Sequence, residues 1–172
     1  MSTLELKELS HPAGEVIKIA AGKTLDLKSQ GTTTLPTGSV LQVVYGSTTT
    51  QVDSSSSTYI DTGITATITP TSASSKILVT WSLQTYNDST AGHHRTMLVK
   101  DSTQLREFGF NMYAASSTLM AVSSQQHLDS PSTTSATTYK LQVKVGGGTL
   151  HCQYNDSNGD GVSTITLMEI QG

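Results

Sequence analysis

The run "SSKILVTWSLQTY", Ser74–Tyr86, constrains the fold of this chain more than any other stretch. Ile77, Val79, Trp81 and Leu83 fall at every second position, with Leu78, Thr80 and Ser82 between them. A period of two puts alternate side chains on opposite faces of an extended strand. A helix, at about 3.6 residues per turn, would scatter the same apolar set around its cylinder. The run therefore predicts a long strand in the middle of a sheet, with one face turned to a core.

The rest of the chain repeats that message in shorter pieces. "SVLQVVYG" begins at Ser39, and Ser47–Thr58 reads as a Ser/Thr-rich loop. In "TYIDTGITATITP", Ile64, Ala66 and Ile68 alternate with threonines until Pro70 stops the strand. "HHRTMLVKD", "TQLREFGFN", "STLMAVSSQQHL", "TTYKLQVKV", "TLHCQYND" and "VSTITLMEI" follow, with His93 and His94 read as a solvated loop before their strand. Ser and Thr make up roughly 30% of the residues, and Thr favours strands while Ser with Gly fills turns. About nine short strands with turn signals between them predict an all-β fold, an antiparallel β-sandwich or jelly roll.

The stretch before Pro36 is different. Ile17 and Ile19 flank a lysine, and Leu25 and Leu27 flank an aspartate, each an apolar–charged–apolar triplet. Leu4-Glu5-Leu6 reads the same way, as a strand rather than a first helical turn. Such strands are too short to be stable alone in water. We expect residues 1–36 to be an extended attachment or stalk arm and residues 37–172 a β-sandwich head, with Pro36 and Gly38 at the boundary. Ile17, Ile19, Leu25 and Leu27 need an apolar partner, and the simplest is another copy of the same chain.

Charge and composition exclude several functions. Net charge is -3 and charged residues make up 13%, with no basic patch, so nucleic acid is not an expected partner. No run approaches the ~20 apolar residues of a membrane span, so insertion is not expected, and the N-terminus lacks a signal-peptide pattern. The single cysteine, Cys152, lies in an alternating run and reads as a small buried strand residue. "NDSNGDG", Asn155–Gly161, reads as a hairpin loop between two paired strands. Its Asp156, Asn158 and Asp160 also have the alternate spacing of a calcium loop, although Leu167 stands where the bidentate Glu would be. Ca2+ is the one cofactor the sequence suggests. Tyr86, Tyr113 and Tyr154 each sit beside Asn, Asp, Ser or Met at a strand end, where a sugar ring could stack, and are the candidate receptor-binding residues. No G-x-S-x-G elbow exists, and no pair among Asp88, Asp101, Glu107 and Asp129 stands out, so no enzymatic activity is expected.

"EVIKIAAGKTLDLKSQGTTTLPTGSVLQVVYG", Glu15–Gly46, resembles the stalk-to-head junction of tail-fibre and other virion structural proteins of tailed bacteriophages of aquatic bacteria. "TATITPTSASSKILVTWSL" and the closing "STITLMEI" are similar to the head domain of the same family. The resemblance covers about Glu15 to Ile170. It implies a homotrimer with a jelly-roll-like head on the virion, assembled in the host bacterial cytoplasm. It implies as partners other virion proteins, held through the N-terminal arm, and host-surface polysaccharide or outer-membrane protein. The expected role is that of a short tail fibre or knob in adsorption. The alternative is a capsid decoration protein or head fibre that stabilises the shell. A glycan depolymerase is a third reading that no residue pattern demands. One departure is the arm, which is shorter than the tail-attachment region of full tail fibres.

Overall fold

The computed structural model describes residues 21–23, 35–89, 92–113, 119–156 and 159–172. The chain divides between Leu35 and Pro36, and the architecture below is that of the second unit, Pro36–Gly172. The expected strand at Leu4–Leu6 and the expected contacts of Ile17, Ile19, Leu25 and Leu27 lie outside the described residues.

Ten strands follow in order: β1 (Val40–Thr48), β2 (Val52–Ser54), β3 (Ile60–Ile68), β4 (Lys76–Asn87), β5 (His93–Lys100), β6 (Thr103–Tyr113), β7 (Leu119–Asp129), β8 (Thr137–Val145), β9 (Leu150–Cys152) and β10 (Ser163–Ile170). No helix occurs among the described residues. Every strand pair is antiparallel. One sheet has the order β1-β10-β4-β7, with β9 and β2 continuing it beside the far end of β4; the other has the order β3-β8-β5-β6. Setting aside the short β2 and β9, eight strands form two four-stranded layers in jelly-roll order, the chain changing layer at each connection except the β5–β6 hairpin.

As the period-two pattern predicts, β4 is central: β10 and β9 share one of its edges and β7 takes the other. Ile77, Val79, Trp81 and Leu83 of β4 face Ile64, Ala66 and Ile68 of β3 and Tyr139, Leu141 and Val143 of β8 in one buried cluster. Each such aliphatic side chain contributes about 1.5–3 kcal/mol on leaving water. Trp81 meets Phe108 of β6 edge-to-face, with centroids 4.8 Å apart at 78°, one bridge between the layers. A second bridge is polar. The buried Tyr139 hydroxyl donates to Asp129 Oδ2 at 2.7 Å, and Lys100 Nζ reaches the same oxygen at 3.0 Å.

Three expectations need correction. Within the predicted loop Ser47–Thr58, Val52–Ser54 forms β2 against β9, because Val52 packs on the core and Ser54 is buried between exposed neighbours. His93 and His94 belong to β5, not to a solvated loop, and His94 is fully buried. The runs either side of Asn155–Gly161 do not pair with each other. Both are antiparallel to β4, β10 along Lys76–Ser82 and β9 along Thr85–Asn87, so they lie end to end on a single edge.

Candidate functional site

The break between β9 and β10 builds the site. Residues 153–162 form an excursion out of a line that would otherwise be one strand. The chain leaves at Gln153, which takes φ +52, the left-handed region a non-glycine residue adopts at a cost. Its buried amide offsets that cost: it is placed to donate to the Thr62 carbonyl at 3.1 Å and the Thr50 carbonyl at 3.2 Å, and to accept from the Ser163 hydroxyl at 2.9 Å.

Gln84 of β4 sits opposite the gap and holds both sides of it. Its carbonyl accepts from Gln153 N at 3.0 Å, its Oε1 accepts from Tyr154 N at 2.7 Å, and its own N–H donates to Ser163 Oγ at 2.9 Å. Asn155 fixes the next residue, taking Gln51 Oε1 on its N–H at 2.8 Å and accepting from Gly161 N at 2.9 Å. Further out, Asp156 and Gly159 exchange two backbone hydrogen bonds of 3.2 and 3.3 Å, a tight turn inside the excursion.

Tyr154 is thereby laid against the outer face of the larger sheet. Its ring lies 4.6 Å from that of Tyr86 and 5.6 Å from that of His151, and Tyr86 and His151 are 5.5 Å apart. The last pair is dictated by register, since Tyr86 and His151 are opposite residues of β4 and β9. The same row runs on to Asp53 of β2 on one side and to Met120 of β7 on the other. His151 Nδ1 is 2.8 Å from Asp53 Oδ1, and its Nε2 is 4.0 Å from Asp88 Oδ2. Partial burial works against ionisation of Asp53, but hydrogen bonds from His151 and Gln51 outweigh it and hold the carboxyl below its ordinary value. Asp88 is pinned in turn by accepting from Thr149 N at 2.7 Å. Beside Tyr154 opens a shallow cavity of about 370 Å³, bordered by Gln84, Met120, Asp156, Asp160 and Val162.

The arrangement offers three half-buried aromatic rings, carboxylate acceptors at their rim and a cavity open to solvent. Such a surface can stack a sugar ring and hydrogen-bond its hydroxyls. Of the tyrosines singled out in the sequence, Tyr86 and Tyr154 come together here, while Tyr113 ends β6 in the other sheet and is exposed. Of the calcium-loop residues, Asp156 and Asp160 are exposed and Asn158 lies outside the described residues. Among the described residues no group of three His, Cys, Asp or Glu side chains is placed to hold a metal ion. His151 and Asp53 carry no motif. The alternation Leu150-His151-Cys152 does place His151 on the face opposite the buried Cys152.

No protein-family model and no characterised protein matches the sequence. Among solved structures, the chain is similar to a mutant VP2 protein of Infectious Bursal Disease Virus in derived T=1 particles, with 12% identity and a TM-score of 0.45 over 87% of this chain and 44% of that one. It is similar as well to the structure of infectious bursal disease virus, Gx strain, with 14% identity and a TM-score of 0.41 over 87% of this chain and 42% of that one. The chain thus spans less than half the length of the chains it resembles, and likeness at this level does not extend to function.

Proposed function

We propose that this chain is a virion surface protein of a tailed bacteriophage that binds carbohydrate on the host surface, as a short fibre or knob in adsorption. The jelly roll is an architecture of lectins and viral capsid domains alike, so the choice rests on the site. The observation that carries it is the Tyr86–His151–Tyr154 cluster, held in place by Gln84 and Asn155 and rimmed by Asp53 and Asp88. In this reading three copies join through Ile17, Ile19, Leu25 and Leu27, the N-terminal arm holds the particle, and three weak sites act together.

The test is binding of the full chain to polysaccharide purified from the host surface, with Tyr154→Ala and Tyr86→Ala beside it. Each variant is expected to weaken binding by about tenfold, the loss typical of an aromatic anchor. Unchanged binding in both sinks the assignment of this site. Release of reducing ends during the assay would instead favour a depolymerase.

A second reading, a capsid decoration protein, is favoured by a separate observation. Val43 and Tyr45 of β1 and Leu128 of β7 are exposed on the outer face of the larger sheet, a surface suited to a protein partner. Association with empty capsids but not with cells distinguishes it from the first.

A further inference from the structure

At the edge of the aromatic cluster two hydrogen-bond acceptors face each other. His151 Nδ1 lies 2.8 Å from Asp53 Oδ1. An ionised carboxylate only accepts, so this contact puts the proton of the neutral imidazole on Nδ1 and leaves a lone pair on Nε2. Gln51 Nε2 donates to the same Asp53 oxygen at 2.8 Å and holds the carboxylate in place. On the other side, Asp88 accepts from Thr149 N through Oδ1 at 2.7 Å and turns Oδ2 towards the ring, 4.0 Å from Nε2. Two acceptors at that separation share no hydrogen bond, but one donor group about 2.9 Å from each would bridge them.

The charge around this pair has one sign. Within Pro36–Gly172 the Lys and Arg residues are Arg95, Lys100, Arg106, Lys140 and Lys144, all on β5, β6 and β8 of the smaller sheet, and Lys76, at the far end of β4 from Tyr86. Asp53 and Asp88 flank the cluster, and Asp160 borders the cavity beside Tyr154. The side chains of Asp53 and Asp88 are 52% and 44% exposed, so a ligand can reach both. A sugar hydroxyl has one proton to donate and no charge. An ammonium has three donors, enough for Nε2 and Oδ2 together, and its charge is attracted both by the carboxylates and by the face of a tyrosine ring. An acidic sugar would meet lone pairs and like charge.

We propose, resting on the reading of the Tyr86–His151–Tyr154 cluster as a carbohydrate site, that it selects an amino sugar. The protonated amine lies between His151 Nε2 and Asp88 Oδ2, and the sugar ring lies against the tyrosines.

The experiment is a calorimetric titration of the full chain at neutral pH with short linear oligomers of glucosamine, of N-acetylglucosamine and of glucose, and with ethanolamine. The glucosamine oligomer should bind about tenfold more tightly than the two neutral oligomers, and ethanolamine, an ammonium without a ring, more weakly than it by a similar factor. Asp88→Asn keeps an oxygen to accept from Thr149 N but removes the charge. It should reduce the preference for the amine to about threefold and leave the affinity for the neutral oligomers within about twofold. Asp61→Asn, the same loss of charge on the smaller sheet, should leave the preference intact. Equal affinity for the three oligomers, with Tyr154→Ala weakening all of them, would overturn the selection of an amine and leave the carbohydrate site standing. Ethanolamine binding as tightly as the glucosamine oligomer would remove the sugar from the proposal and so overturn it. An equal loss in the Asp61 and Asp88 variants would overturn it in favour of diffuse attraction. Absence of saturable binding by the glucosamine oligomer would overturn it too, even where polysaccharide from the host surface binds.

Discussion

At the scale of single residues, alternation foretells which way a side chain points but not what it meets. Tyr86 and Tyr154 stood out in the sequence because each borders a turn-rich stretch, and they share a site. His151 and Asp53 did not, because they join it through strand pairings between β2, β9 and β4 that span about a hundred residues. His94 shows the same limit in the core. It is fully exposed to neither water nor a partner: both ring nitrogens are buried and lack a hydrogen-bond partner among the described residues. Burial, with a smaller push from His93, lowers its pKa from 6.5 to about 4. Between those values the unfolded chain takes up a proton that the folded chain refuses. Stability is therefore complete above about pH 6.5, falls as pH drops through the window, and levels off below about 4, for a total of about 3 kcal/mol. Denaturant unfolding at a series of pH values checks this, and His94→Leu should flatten the slope. Asp61 and Glu169, whose carboxyls are held below their ordinary values, add their own loss only at the acid end, below about 4.5. Cys152 gives a simpler test. Burial pushes its thiol up to about 12, so a thiol-specific reagent should label the chain only at the rate of unfolding.

Whole elements were legible where the period of two ran long. β3, β4, β8 and β10 stand within two residues of the bounds that alternation predicts, because each has one face in the core. The Asn155–Gly161 segment misled because Asn-Gly and Asp-Gly favour tight turns locally, which says nothing of whether the flanking strands pair. The turn is there, between Asp156 and Gly159, but the strands on either side of it both pair with β4. Two element-scale predictions follow from close contacts. Gly46 brings β1 against β3: a Cβ there would lie 2.4 Å from the Thr65 carbonyl oxygen, a backbone atom that cannot swing away. Gly46→Ala should cost about 1–3 kcal/mol in chemical denaturation, and no loss would mean that the two strands separate freely. Glu169 joins β10 to its surroundings. Its fully buried carboxylate accepts from Gln42 Nε2 at 2.6 Å and from Thr71 N and Oγ1 at 2.7 Å each. Burial opposes ionisation, but these bonds outweigh it. Glu169→Ala leaves those donors without their acceptor and should cost about 3 kcal/mol in the same measurement.

At the scale of the molecule, the two outer faces differ. The smaller sheet presents Lys140, Lys144, Arg95, Asp61 and Glu107, paired in a charged network. The larger presents the aromatic cluster, Val43, Tyr45, Val122 and Leu128, with Ser and Thr between them. A chain with an ion-pair network on one face and aromatic and aliphatic side chains rimmed by Asp53 and Asp88 on the other has a preferred direction in which to meet other molecules, and assembly decides how many such faces are offered at once. If Ile17, Ile19, Leu25 and Leu27 form a seam between copies, charges placed there would be buried without partners, which few interfaces survive. Light scattering of the full chain is then expected to give the mass of three copies of 18.2 kDa, and Ile19→Asp with Leu27→Asp to give one. The single-copy variant should keep the spectrum of the folded head, since both substitutions fall outside Pro36–Gly172. It should nevertheless lose most of its hold on a polysaccharide-coated surface, because each site alone is weak and avidity needs several on one particle. A variant that stays trimeric puts the seam in the head. A monomer that binds the surface as tightly as the trimer would remove avidity from the account and leave one strong site per chain.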